Sequence, residues 1–166
     1  MLGMSLSTFT TLHVIISLIG IVTGLVVVTG FVSGKRPETW TEVFLASTVL
    51  TSVTGFMFPI NGVTPGLVVG AISLAVLAIA LIALYRFNLM GPWRWIYVVT
   101  ALAALYLNVF VGVVQAFQKV ASLRALAPNQ SEPPFVVAQV AVLALFFIAG
   151  YLAVVRFKPE AGFART

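Results

Sequence analysis

Five apolar runs follow one another along the chain, at roughly 9–33, 41–58, 65–86, 93–118 and 134–156. About 20 residues at helical rise cover a ~30 Å hydrocarbon core, and a helix in lipid satisfies its own backbone. The pattern therefore predicts an all-α protein, an integral membrane bundle of five transmembrane helices. The breaks carry turn-forming residues: Gly34-Lys35-Arg36-Pro37, Pro59-Ile60-Asn61-Gly62, Asn88-Leu89-Met90-Gly91-Pro92, and Pro128-Asn129-Gln130-Ser131-Glu132-Pro133-Pro134. One transmembrane domain over 1–166 is expected, with no separate soluble domain. After the fourth run, Lys119 to Ala127 keeps the helical pattern, which predicts an extension beyond the hydrocarbon to about 126. Pro133 and Pro134 suit the first turn of the last helix. No internal repeat points to an inverted-repeat transporter.

The fourth run alone carries strongly polar side chains well inside its span. At about 100° per residue, Ala101, Ala104, Asn108, Gly112, Gln115, Lys119 and Ser122 share one stripe, and Leu102, Tyr106, Val109, Val113 and Phe117 share the opposite one. An amide facing hydrocarbon lacks a hydrogen-bond partner, so the small, polar stripe is expected to face other helices or a water-filled pocket, and the bulky stripe lipid. In the first run, Thr10, His13, Ser17, Gly20 and Gly24 share a face, and Gly20-x-x-x-Gly24 reads as a close helix contact. The second run opens with Thr39-Trp40-Thr41-Glu42, a capping-box pattern that accounts for Glu42. Its hydroxyls, Ser47, Thr48, Thr51, Ser52 and Thr54, can bond the carbonyls of their own preceding turn. The third run is apolar apart from Ser73 and reads as lipid-facing or structural.

Composition agrees with a membrane setting: 61% hydrophobic, 8% charged, mean hydropathy +1.13. There are no cysteines and no aspartates, and the four glutamates, Glu38, Glu42, Glu132 and Glu160, lie at or beyond the ends of the runs. No carboxylate thus stands at mid-membrane as a relay, which weighs against a proton-driven transporter. With five spans, Lys35, Arg36, Arg86, Arg94, Arg156, Lys158 and Arg165 fall on one side, and Lys119 and Arg124 on the other. Basic residues in short loops favour the cytoplasm, so the N-terminus is expected outside and the C-terminus inside. Trp40, Trp93, Trp95, Tyr85 and Tyr97 then form a cytoplasmic aromatic belt. The first ten residues carry no basic side chain, so the first run reads as a retained span rather than a cleaved signal.

That orientation gathers the polar residues in the outer half. His13, the segment Thr51–Gly55, Asn61, Gln115, Gln118, Lys119 and Gln139 all map there, and Asn108 lies roughly 22 Å up a ~30 Å core. A polar set confined to one leaflet suggests a pocket open outward rather than a pore. The candidate ligand-binding residues are His13, Thr51, Asn108, Gln115, Lys119 and Gln139. Lys119 and Arg124 oppose the charge bias; their plainer role is snorkelling to phosphates, and their sharper one is holding an anionic group. No catalytic residue, metal ligand set or cofactor is expected. A single histidine cannot supply bis-histidine haem ligation, zinc and di-iron ligands are lacking, and no acyl-transfer triad or carboxylate pair exists. The net charge of +5 is spread along the cytoplasmic rim, where anionic lipid explains it, so nucleic acid is not implied.

The stretches Thr48 to Pro59, Trp93 to Ala101, Tyr106 to Phe110, Gln115 to Lys119 and Ala127 to Phe135 resemble those of small, uncharacterised bacterial inner-membrane proteins with five spans. The resemblance implies a multi-pass protein of the bacterial inner (cytoplasmic) membrane and transfers no functional residue. Three functions remain open: a non-enzymatic protein whose outward polar pocket binds a lipid, quinone or other small amphiphile; an accessory subunit of a larger membrane complex; and a small transporter or channel, disfavoured by the apolar inner half. The partners expected are membrane lipids, a small amphiphilic ligand, and a second copy of the chain or a membrane partner protein.

Overall fold

Side-chain caps and prolines open several of the apolar runs. Ser5 accepts a hydrogen bond from the Thr8 amide and Thr64 one from the Leu67 amide, supplying N-caps to the first and third helices. Pro133 opens the last helix at the position where a missing N–H costs nothing. The computed structural model describes residues 3–59, 62 and 64–158; Asn61, Glu160 and Arg165, invoked above, lie outside the described residues. Its helices are α1 (Leu6–Val32), α2 (Glu38–Gly55), α3 (Pro65–Leu81), α4 (Trp93–Lys119), α5 (Ala121–Leu126) and α6 (Pro133–Arg156). A π-helical turn over Ile82–Arg86 closes α3. The fold is all-helical, with no strand among the described residues.

Four helical segments are long and apolar enough to cross a membrane: Leu6–Val32, Pro65–Arg86, Trp93–Lys119 and Pro133–Arg156. The chain is a multi-pass membrane protein by that measure. α2 falls short of it, because its 18 residues include Glu38, Glu42 and many hydroxyls. At 1.5 Å per residue α2 is nonetheless about 27 Å long. It runs antiparallel along α1, with Phe9 against Phe58 at one end (centroids 5.0 Å apart) and Gly30 against Pro37 at the other.

Two helix ends therefore gather distinct side chains. At the first, Phe31 of α1 meets Tyr97 of α4 (5.6 Å) and Phe157 just past α6 (4.8 Å), and Arg94 donates to the carbonyls of Val154 and Phe157. A guanidinium on the last carbonyls of α6 satisfies acceptors that no intrahelical N–H reaches. We call this the Arg94 end. At the opposite end, the Lys119 end, stand Phe9, His13 and Phe58. The loop from π-turn to α4 is pinned at the Arg94 end by Phe87 stacked on Trp93 (3.9 Å, 3°). Leu89 there takes φ +58, unusual for a branched side chain, while its side chain is buried in the core.

The close contacts of α1 set the interior. A Cβ on Gly24 would fall 2.5 Å from a Leu105 methyl and 2.9 Å from the Phe44 ring, so α1 lies in the groove between α2 and α4. The Gly20-x-x-x-Gly24 expectation is met in that form. Around it pack Val27, Phe44, Leu45, Leu77, Val98, Ala101 and Leu105.

Several finer expectations are corrected. Leu102 and Phe117 are buried, and Leu102 packs on Gly150 while Tyr106 meets Phe146 (5.6 Å), so the bulky stripe of α4 seats α6 rather than facing lipid. A central helix covers both faces. Tyr97 is fully buried and leaves the aromatic belt, while Trp40, Trp95 and Tyr85 are exposed as a belt requires. Pro37, not Thr39, is the N-cap of α2, with no side-chain cap, so Glu42 closes no capping box. The extension after α4 is interrupted: Val120 is extended (φ −85, ψ 115), and α5 is a separate short helix.

The groove makes a prediction. Gly24→Val should lower the melting temperature in detergent, with a loss of about 1–3 kcal/mol from overpacking against Leu105 and Phe44. Gly112→Ala, whose Cβ would first meet Ile21 at an ordinary 3.5 Å, should melt no lower than the parent. Equal melting of both variants would refute the packing role.

Candidate functional site

The six residues singled out from the sequence lie in separate surroundings. His13 is half-buried between α1 and α2, its Nδ1 2.8 Å from the Thr54 hydroxyl and its ring edge-on to Phe58. The Thr54 hydroxyl donates its one proton to the Leu50 carbonyl (2.7 Å). Thr54 therefore accepts from His13 Nδ1–H, which leaves Nε2 as the acceptor nitrogen. Thr51 donates to the Ser47 carbonyl (2.9 Å), and its hydroxyl is spent within α2.

Asn108 is buried at the crossing of α1, α2 and α4, where Nδ2 donates to the Ser17 carbonyl (3.4 Å). Its amide and the hydroxyls of Ser47 and Thr48 surround Gly20, at 3.1–3.2 Å from where a Cβ would stand. Glycine is needed at that position because polar atoms of two neighbouring helices occupy the space. Ser47 and Thr48 donate to carbonyls of their own helix (2.6 and 2.7 Å), and the Ser52 and Ser73 hydroxyls meet across α2 and α3 at 3.1 Å. The hydroxyl run of α2 thus bonds its own preceding turn, as the sequence suggested.

Gln115 is exposed. Lys119 is exposed too, within electrostatic reach of His13. Gln139 of α6 is half-buried against α4; Nε2 donates to the Phe110 carbonyl (3.3 Å), and the buried Oε1 has no partner. The polar stripe of α4 is therefore inward as far as Asn108 and outward from Gln115. Asn108 and the His13–Thr54 pair are joints between helices, and no common pocket unites the six.

A cavity does open at the Lys119 end, in a neighbouring place. It measures about 330 Å³ and is lined by Phe117, Gln118, Arg124, Pro128, Asn129 and Gln130. Local breaks in the chain create it. The extended Val120 turns α5 off the axis of α4, and Gln130, in a left-handed conformation (φ +58), turns the chain back toward α6. Gln130 Nε2 donates to the Val114 carbonyl (3.1 Å) and its Oε1 accepts from Gln118 Nε2 (3.3 Å), tying the return loop to α4. The Glu132 carboxylate accepts from the amides of Asn129 and Ser131 (both 3.1 Å) and from Asn129 Nδ2 (3.0 Å). Desolvation would push that carboxyl up, but these hydrogen bonds outweigh it and hold it below the usual carboxylate range. Below, Phe117 is buried edge-on to Phe135 (5.4 Å). The cavity thus has an aromatic floor, amide walls and one cation, Arg124.

Of these liners, Gln118 and Arg124 were noticed in the sequence for their outward position, and Phe117 was assigned to the lipid stripe. Asn129 and Gln130 read only as a turn; the left-handed conformation at Gln130 leaves no signal in a residue that rarely adopts it. A second cavity, about 480 Å³, is a groove between α1 and α2 lined by Ile15, Leu18, Ile19, Val22, Thr23, Trp40 and Val43. No known protein family, curated protein or solved structure matches the chain. The site rests on its geometry.

The burial difference between the two α4 amides has a measurable consequence. Asn108→Leu should lower the detergent melting temperature, through a lost interhelical hydrogen bond and a branched side chain beside Gly20, at about 1–2 kcal/mol. Gln115→Leu should leave it unchanged. A larger drop for Gln115→Leu than for Asn108→Leu would contradict this placement.

Proposed function

We propose that the chain is a non-enzymatic protein of the bacterial inner membrane that spans it five times, N-terminus outside and C-terminus inside, and holds a small amphiphile in its outward-facing pocket. The observation that carries the reading is the cavity at the Lys119 end, about 330 Å³ in volume. Ligand pockets run from about 300 to 1,000 Å³; this one lies at the small end and is more polar than most, with Phe117 and Pro128 beside Gln118, Arg124, Asn129 and Gln130. Such a site, just past the end of a spanning helix, suits the polar head of a molecule whose apolar part stays in the bilayer: a lipid, a quinone or a similar amphiphile.

Five crossings are supported by α2 lying along α1 from Phe58 to Pro37, a path as deep as the span it accompanies. The direction is supported by charge. Arg36, Arg94 and Arg156 belong to the Arg94 end, whereas Lys119 and Arg124 belong to the other. A continuous polar pathway is not favoured, because the hydroxyls of α2 are bonded to their own carbonyls and Asn108 to Ser17. A binding role asks for no such pathway.

Two measurements test the reading. Alkaline phosphatase fused after Asn129 should be active and after Gly91 silent; the reverse pattern overturns the orientation. Native mass spectrometry of the gently solubilised protein should show a retained amphiphile, several-fold depleted in Gln130→Ala, which cuts the loop from Gln118 and Val114. A parent protein that carries no small molecule would defeat the pocket.

A further inference from the structure

The pocket contains one charge, and that charge is unpaired. Among the described residues the single ion pair is Arg36–Glu38, at 2.8 Å, so Arg124 has no carboxylate partner. The acid nearest in sequence, Glu132, is committed to the amides of Asn129 and Ser131 and to the Asn129 side chain. Lys119 is not among the pocket liners. The remaining liners offer neutral donors. Gln118, Asn129 and Gln130 each use one amide N–H on a protein acceptor, at 3.3, 3.0 and 3.1 Å, and a primary amide has two.

An unpaired guanidinium beside amide N–H groups, above an aromatic floor, is a donor-rich recess with a polarity that calls for an anion. Arginine's planar fork matches the oxygens of phosphate, and its weak hydration lets it enter such a recess more readily than lysine would. Its height fits as well. Arg124 lies five residues beyond Lys119, where α4 ends, and so beside the head groups rather than the tails. Glu132 biases the seat: its carboxylate, next to Asn129, repels an anion there and leaves the Arg124 side preferred.

The geometry points to a phosphate-bearing ligand, with its phosphate held by Arg124 and the amides of Gln118 and Gln130 and its first carbons on Phe117. This deepens the pocket reading above and rests on it. The phosphate can belong to an anionic phospholipid or to a soluble phosphomonoester, and the two sources are separable.

The protein is placed in nanodiscs of phosphatidylcholine mixed equally with phosphatidylglycerol, then released for native mass spectrometry. Phosphatidylglycerol should be retained over phosphatidylcholine by about tenfold, the selectivity a net-anionic head gains over a zwitterionic one at an arginine fork. Arg124→Gln should erase that preference, Arg124→Lys should keep part of it, and Arg86→Gln, at the opposite end, should keep all of it. Arg124 is exposed, so the variants should melt like the parent, and a preference lost with unchanged melting is a loss of binding. In a second arm, glycerol phosphate is added to the protein in phosphatidylcholine discs. A rise in melting temperature in the parent, absent in Arg124→Gln, assigns the phosphate to a soluble ligand; no rise, with phosphatidylglycerol retained, assigns it to the lipid. Lipid retained equally from both and unchanged in Arg124→Gln, or a preference indifferent to Arg124→Gln, with no glycerol phosphate effect, overturns the assignment of the phosphate to Arg124 and leaves the pocket standing. A protein that retains no lipid and ignores glycerol phosphate overturns both.

Discussion

Apolar side chains gain nothing by leaving a lipid tail for another side chain, so helices in a bilayer hold together through close van der Waals contact and interhelical hydrogen bonds. The approach of α1 to α2 and α4 at Gly20 and Gly24 supplies both. At Gly24 the neighbours are a Leu105 methyl and the Phe44 ring, and at Gly20 they are the Asn108 amide with the hydroxyls of Ser47 and Thr48. Small residues here let three helices share one seam. The seam then fixes which face α4 turns to α1, and so which of its faces is left for α6.

With one side of α4 closed on α1 and α2, its bulky side becomes the seat of α6 through Leu102, Tyr106 and Phe117. The outer surface of α6 stays open, with Phe147 and Tyr151 each 71% exposed. A bilayer covers such a surface at no cost, as water would not. The Arg94 end is fastened differently, by a guanidinium on the carbonyls of Val154 and Phe157 and by the Phe31, Tyr97 and Phe157 rings. One end of the bundle is thus stapled, whereas the other is built from turns.

Helix positions were legible because lipid enforces them: a run of apolar residues has no other way to satisfy its backbone, and the helices begin and end close to the bounds the runs suggested. The inward face of α4 was legible only as far as Asn108. Periodicity gives the relative angle of Asn108 and Gln115 but not how closely the neighbouring helices approach at each level, and Gln115 is exposed although α1 extends well past Ser17. The bulky stripe was misread for a related reason. A two-faced pattern implies one buried side only for a peripheral helix, and nothing within the segment itself says that it is central. Tyr97 shows the same limit, since an aromatic near a span end suits a belt or a core equally well, and its neighbours Phe31 and Phe157 come from distant parts of the chain. The candidate pocket was the least legible, because it depends on backbone angles at Val120 and Gln130 rather than on side-chain pattern.

Those angles matter because of what a straight continuation would have done. Had α4 run on through Val120, Arg124 would project along the helix axis into water, where a lone guanidinium is well solvated and selects nothing. With α5 turned aside, Arg124 and Phe117 line one recess with the loop that Gln130 fastens to α4. Glu132, held by three N–H donors, keeps that recess from closing on itself as an internal ion pair. Among the described residues, the buried hydroxyls of α2 are used on carbonyls of their own helix and Asn108 on α1, while Arg124 stands at the edge of the recess with no carboxylate bonded to it.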